Sequence, residues 1–526
     1  MKFLKLFIYI VLIIALILFL LWKRSPTLTD PVAQVEQPGT YTSMPYVEFN
    51  KLIPQRIEYT KDKSTFLEPY NKEKLEFIQQ NIGSVNDMQK FLMLASVPNI
   101  ELGYYQIAPI KQDPKVLSSF QFEQGMTGWF WIYGTFIDST GNTASFMYYL
   151  IRMDMFPPEL RKQMNLPMGS TTYYFISTGV GRGNEWKYSP FMFVRGEYKI
   201  NSDSSFSFKA IDAPDGWTSN LSMDGVGNFI VESGWTDSTG KKNGFSANMD
   251  AVRRPYLDNP GGCTPCAGGA GTLYFSYTQL ATNGNITLND SSVACKNGTG
   301  WVDRQWLNRQ VTTVYYSLLA NVMNVFESET RGLGKYVWLN LHLGNDLQYM
   351  VSGNFGPEVP ITKGTVFPTN TNRYGPNDDV QWKINGVTAE VLDTLTTEGI
   401  TFPIKYKINT PDEVYILDAT KFPHSVSIDL TNNLHYNGSA LVYDSTGKLV
   451  GTGFMEANQF APEAQYTSNV LEGMGLQVNA QNIAMFSSYT QLPFSKGLPS
   501  LLVSILTVIA LITFIILFIR TIFKKT

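Results

Sequence analysis

The stretch Gly298-Thr299-Gly300-Trp301-Val302-Asp303-Arg304-Gln305-Trp306 sets two tryptophans around an Asp-Arg-Gln triplet near the middle of a 526-residue chain. If the run is extended, its two-residue period puts Trp301, Asp303 and Gln305 on one face and Arg304 and Trp306 on the other. A carboxylate between indoles on an inward face is costly unless it has partners. Asp303 therefore marks either a structural ion pair or a polar site in apolar surroundings. The stretch locates a site, and its chemistry has to be read from the rest of the chain.

Working outward, short alternating or apolar runs continue on both sides, at 128–134, 144–151, 171–178, 191–200, 206–211, 229–234 and 272–280 upstream, and from 314–319 to 449–455 downstream. Turn signals such as Ser139-Thr-Gly-Asn142 separate them. Many short strands with few helices indicate an all-β chain of barrels or sandwiches. The expectation is two tandem antiparallel β-barrels, over 100–297 and 298–461, with Trp301 to Trp306 near their junction. Over 70–99, Leu75, Ile78, Ile82, Met88, Phe91, Leu92 and Leu94 recur at helical spacing, which predicts a small helical segment. Residues 25–69 read as a stalk, since 25–45 are rich in Pro, Thr and Gln with no apolar period. Residues 462–499 read as a polar tether.

Residues 6–22 and 501–519 are unbroken apolar runs, bordered by Lys2, Lys5, Lys23 and Arg24 and by Arg520, Lys524 and Lys525. Each approaches the roughly 20 residues that a helix needs to cross a bilayer, giving an anchor over 1–24 and a transmembrane helix over 500–520. No small-x-small cleavage site follows the first run, so it reads as uncleaved. Positive charge at both ends places them in the cytosol, with the body between them lumenal or extracytoplasmic. Five Asn-x-Ser/Thr triplets, at Asn220, Asn285, Asn289, Asn297 and Asn437, suit that location as glycosylation sites. The end segments hold seven of the 41 basic residues and no acid, leaving 34 basic against 44 acidic residues, a net charge of about −10, which argues against a nucleic-acid surface. Cys263, Cys266 and Cys295 fit a disulfide pinning a glycine-rich loop, its pairing open. The sequence holds no phosphate-cradling glycine loop, no serine-nucleophile elbow and no metal set, so no cofactor is expected.

The order of motifs resembles the lipocalin-like family of carotenoid hydratases and AttH-type secreted proteins. The motifs are Trp129-Phe-Trp131 before Gly134, Tyr274-Phe-Ser-Tyr277, the Gly298 to Trp306 run, Trp338 to Gly344, His435-Tyr-Asn-Gly438 and Gly451-Thr-Gly-Phe-Met-Glu456. The resemblance spans 128–456 and implies two calycin-type barrels in contact, with a cavity in or between them for an apolar or polyene-like molecule. Some members hydrate a carbon-carbon double bond, which needs a strong proton donor and a placed water. This chain departs at the positions implicated there: Arg304 stands for the motif's His, Gln305 for its Glu, and Asn437 for a later Glu. Arg304 cannot give up a proton near neutral pH. Asp303 and Glu456 remain as acids, and Asp303 has two readings, a general acid or the ion-pair partner of Arg304 or Arg309. Trp129, Trp131, Trp301, Trp306 and Trp338, with Arg304, Gln305, His342 and Glu456, are the candidate pocket.

The leading expectation is a membrane-anchored, non-enzymatic tandem lipocalin-like protein that binds an apolar ligand or a partner protein. A hydratase, isomerase or cyclase acting on an unsaturated lipid-like substrate, with Asp303 as acid, is the enzymatic alternative. Abundant Asn, Phe, Tyr and Ile fit an AT-rich genome. A structural membrane protein of a large DNA virus or similar assembly is the third expectation.

Overall fold

The computed structural model describes residues 38–62, 70–95 and 335–355, and, with short interruptions, 127–307 and 365–482. Both apolar end runs lie outside the described residues, and among those described no helix is long and apolar enough to cross a membrane.

The described residues begin with a short strand, β1 (Gly39–Thr42), and three helices, α1 (Tyr46–Asp62), α2 (Tyr70–Asn81) and α3 (Asp87–Ala95). The stalk expectation over 25–69 is corrected over 38–62, its described part. In α1, Phe49, Ile53 and Ile57 recur at i+4 with Arg56 and Thr60 and form one buried stripe, which packing holds in place although Pro54 removes a backbone bond inside the helix.

The first sheet takes β1 and the strands β2 (Thr127–Asp138), β3 (Thr143–Asp154), β4 (Thr172–Arg182), β5 (Glu185–Tyr188), β6 (Met192–Ile200), β7 (Phe206–Ile211), β8 (Thr218–Met223), β9 (Phe229–Thr236), β10 (Lys242–Ala251), β11 (Tyr256–Leu257), β12 (Cys263–Pro265), β13 (Gly271–Leu288) and β14 (Ser291–Leu307). A short helix, α4 (Pro158–Gln163), joins β3 to β4. Ten strands run in the order β6-β7-β8-β9-β10-β13-β14-β2-β3-β4, and β4 pairs back onto β6, closing a barrel.

The second sheet takes β15 (Lys335–Leu343), β16 (Gln348–Phe355), β17 (Thr365–Val366), β18 (Asn370–Tyr374), β19 (Val380–Trp382), β20 (Thr388–Thr397), β21 (Ile400–Asn409), β22 (Val414–Asp418), β23 (Val426–Ile428), β24 (Leu434–Asp444) and β25 (Leu449–Asn458). Its order is β17-β20-β21-β22-β24-β25-β15-β16-β18-β19. Among the described residues no pairing joins its two ends, so the second unit is a half-barrel where a closed barrel was expected. The boundary drawn at 297/298 also moves. β14 is paired along both edges, to β13 and to β2, so the Trp301 to Trp306 run belongs to the first sheet. A register shift between Lys296 and Thr299, at Asn297-Gly298, interrupts β14 without ending it.

Three hairpins, β2–β3, β9–β10 and β24–β25, turn on the same sequence, Asp-Ser-Thr-Gly followed by Asn or Lys. In each, an aspartate Oδ1 (Asp138, Asp237, Asp444) accepts from the backbone N–H groups two and four residues on. The glycine takes φ of 83°, 81° and 83°, a region that other residues rarely enter.

Buried side chains fall into four clusters: the first barrel's interior, the concave side of the second sheet, a layer between the two sheets, and a helical collar. The collar packs α1, α2 and α3 on Ile151, Met153, Tyr173 and Phe175 of the first barrel. It also takes in Leu471 of a last helix, α5 (Glu463–Gly473). The expected tether at 462–499 is therefore helical at its start, because α5 has an apolar surface on which to lie.

Candidate site between the two sheets

β14 alternates as its period requires. Trp301 (0% exposed) and Asp303 (3%) face the second sheet, while Val302 and Arg304 (0%) turn into the first barrel. The Asp303 carboxylate accepts three hydrogen bonds: Tyr274 Oη at 2.8 Å, Ser276 Oγ at 2.5 Å and the Trp301 indole Nε1 at 2.5 Å. Tyr274 and Ser276 lie on β13, in register with Gln305 and Asp303. A buried carboxylate here has the donors it requires.

Arg304 does not supply one of them. Its Nη1 donates to the backbone oxygens of Trp129 (3.0 Å) and Gln305 (2.8 Å), and its guanidinium lies 4.5 Å from the Phe130 ring centroid. The Asp303–Arg304 pair fails because neighbours in a strand point to opposite faces. Arg309 lies outside the described residues.

The second sheet meets this face with β15, whose Trp338, Asn340 and His342 share one side. Trp338 packs edge-on against Trp131 (4.9 Å between centroids) and Trp301 (5.3 Å), and Phe454 of β25 stacks on Tyr133 at 4.3 Å. Within these rings runs a polar chain. Gln348 Nε2 stands 2.7 Å from His342 Nδ1, His342 Nε2 is 3.0 Å from Tyr133 Oη, and Tyr133 Oη donates to Asn340 Oδ1 at 3.0 Å. A neutral His342 with its proton on Nε2 satisfies every contact in that chain. Burial, and then the nearby Arg253 cation, pull its pKa down to about 3. Burial and the Asp303 carboxylate push the Tyr133 hydroxyl well above its ordinary value.

These shifts give a test. The unfolded imidazole takes a proton near pH ~6.5, so between there and about 3 the unfolded state binds more protons than the folded one. The stability contributed by the neutral ring is present above that window and lost as pH falls through it. His342→Gln is expected to remove an acid sensitivity of about 3 kcal/mol between about pH 7 and about pH 4. Unfolding at several pH values measures it, and identical slopes in the two proteins would refute a buried neutral His342.

The remaining sequence candidates divide. Trp131, Trp301, Trp338 and His342 meet in the layer between the sheets, and Trp129 is half-buried between that layer and the collar. Glu456 pairs in register with Trp338 and accepts from Asn458 Nδ2 at 3.0 Å. Gln305 is half-buried; Trp306 belongs to β14 by its backbone, and its side chain lies outside the described residues. Two expectations are corrected. Cys295 is a free thiol 1% exposed inside the first barrel, pushed up to about 11 by burial and by Asp138, so it belongs to no disulfide; the side chains of Cys263 and Cys266 lie outside the described residues. Asn437 is 1% exposed, with its amide against Ser427 and His435, and a glycan has no room there.

The sequence reading did not include Tyr133, Asn340 or Gln348 in the site, and it marked Tyr274 and Ser276 only as part of a motif, without a link to Asp303. Their signal was present for the pair Asn340 and His342, polar residues two and four places after Trp338 on an otherwise apolar strand. Among the described residues, no three His, Cys, Asp or Glu side chains converge to hold a metal.

No protein-family model matches the chain, and no curated protein matches it. Its backbone is similar to that of a Nitrosomonas europaea protein described as an AttH, at 12% identity and a TM-score of 0.45, over 64% of this chain and 93% of that one. It is also similar to kievitone hydratase from Nectria haematococca (14%, 0.40, 63% and 88%) and to CghA, solved with Sch210972 (10%, 0.36, 64% and 89%). Likenesses of this size carry no inference about chemistry, and the site is read from its own geometry.

Proposed function

We propose that the chain is a non-enzymatic, membrane-anchored protein of tandem lipocalin-like units that works by holding a partner protein. The observation that supports this reading is the content of the first barrel. Phe146 of β3 stacks on Phe245 of β10 at 3.9 Å between centroids, although four strand steps separate them around the wall. Tyr148 Oη meets Ser219 Oγ at 2.8 Å and Thr178 Oγ1 meets Ser233 Oγ at 2.6 Å, also between strands that are not neighbours. A barrel that carries a ligand keeps an open interior, whereas one crossed by its own side chains is a core. The departures at Arg304 and Gln305 point the same way.

Native mass spectrometry of gently extracted full chain, followed by organic extraction, tests the reading. The expected result is a stable protein complex with no stoichiometric apolar molecule. A stoichiometric apolar molecule would sink it.

One observation favours a second reading, an enzyme acting on an unsaturated lipid-like substrate between the sheets. Trp338 Nε1, Asn340 Nδ2 and Gln348 Oε1 are buried there with no hydrogen-bond partner among the described residues. Polar atoms in that condition call for an explanation, and a bound polar group is one.

A further inference from the structure

The outer wall of the first barrel has three sectors. One, carrying Trp131, Tyr133 and Trp301, lies under the second sheet. Another, carrying Ile151, Tyr173 and Phe175, lies under the helical collar. The third, formed by β8, β9, β10, the later part of β13 and the start of β14, is covered by no other described element, with Glu232, Ser246 and Asn248 exposed on it. Four of the five Asn-x-Ser/Thr triplets map to this sector or its edge.

Their placement follows from register. Asn220 pairs with Glu232, Glu232 with Ser246, and Ser246 with Asn285, so Asn220 and Asn285 share a row three strand spacings apart, about 14 Å. Asn289 sits in the β13–β14 turn. Asn297 lies on β14, and its backbone N–H donates to Asn283 Oδ1 at 3.1 Å on the same face.

The four amides are not equivalent. Asn220 Nδ2 donates to Glu232, and Asn289 Nδ2 donates to Glu185 while its Oδ1 accepts from Lys187. Asn285 and Asn297 are exposed, and among the described residues no side-chain hydrogen bond holds either amide. Asn297 also has φ of 54°, which lifts it out of the regular ladder.

We propose that Asn285 and Asn297 carry N-linked glycans on this uncovered sector, a modification that rests on the lumenal placement of the body. The donor is a polyprenyl-pyrophosphate-linked oligosaccharide. Asparagine Nδ2 forms a bond to the anomeric carbon, the bond from that carbon to the pyrophosphate oxygen breaks, and the amide proton leaves with the pyrophosphate carrier. The following Thr287 and Thr299 complete the two acceptor triplets. The glycans then hold one side of the barrel free of protein contacts, and a partner is confined to the remaining surface.

The test is the gel mobility of full-length protein made in eukaryotic secretory cells, with and without an amidase that removes N-glycans. Two steps of shift are expected. Asn285→Gln and Asn297→Gln each remove one, while Asn289→Gln and Asn437→Gln remove none. Thr287→Ala and Thr299→Ala should abolish the same steps with both asparagines in place, which guards against misfolding of the Gln variants. A shift that survives the Asn285/Asn297 double variant, or no shift at all, overturns the proposal. Protease protection in sealed microsomes separates the causes: a protected, unshifted body refutes the glycans alone, and a digested one refutes the lumenal placement with them.

Discussion

Phe146→Ala is expected to destabilise the first barrel by about 3–5 kcal/mol, the cost of removing a buried phenyl ring that its neighbours cannot replace. Phe146 is 0% exposed, touches Phe136 along the sheet and stacks on Phe245 across the lumen. It also lies over Gly134, where an added Cβ would collide with the ring, so the strand cannot close the void by moving a side chain inward. Denaturant unfolding measures the loss, taken on the transition that belongs to the first barrel, since a chain with two cores need not unfold in one step. A small apolar solute such as benzene should recover part of the loss in the variant and add nothing to the parent, because it binds only the folded state with the hole. A cost below about 1 kcal/mol would mean that the lumen yields readily, and the reading of a filled barrel would fail.

Asp303→Ala should be of similar size. It leaves Tyr274, Ser276 and Trp301 as buried donors without their common acceptor, at about 1–3 kcal/mol for each orphaned group and roughly 3–5 kcal/mol together, since the three are not independent. Asp303→Asn keeps the shape and one acceptor oxygen, so it should cost less. The pair separates the two functional readings. If the parent protein turns over an unsaturated lipid and Asp303→Asn abolishes turnover at nearly parental stability, Asp303 is an acid and the non-enzymatic reading is wrong. If neither protein turns over substrate and only stability changes, Asp303 is a fixed anion pinning β13 to β14.

What the sequence disclosed about this site follows from how local each signal is. The alternation of Trp301, Asp303 and Arg304 was legible because a strand's period is set by residues two apart. The contacts of Asp303 with Tyr274 and Ser276 were not, since those residues stand 29 and 27 positions away and their alignment depends on register shifts in β13 between Tyr277 and Leu280 and between Thr282 and Gly284. Asn340, His342 and Gln348 reach Tyr133 and Trp301 only because two sheets dock, and no pattern within one strand specifies that docking. The all-β class was legible from the turn spacing. Closure was not, because it depends on one pairing, β4 with β6, and the second sheet lacks an equivalent among the described residues. α1 escaped notice because its stripe of Phe49, Ile53 and Ile57 carries a proline and follows a stretch of linker composition.

The collar has a mechanical consequence. β1 is hydrogen-bonded along β6, and α5 packs in the same cluster as α1, so the first and last described elements are both fastened to the first barrel. A pull applied through the two ends of the chain would run from β1 through the collar to α5 and close on itself there. The second sheet lies between those elements in sequence but outside that load path, so it would ride along as cargo and keep its shape while the collar took the strain.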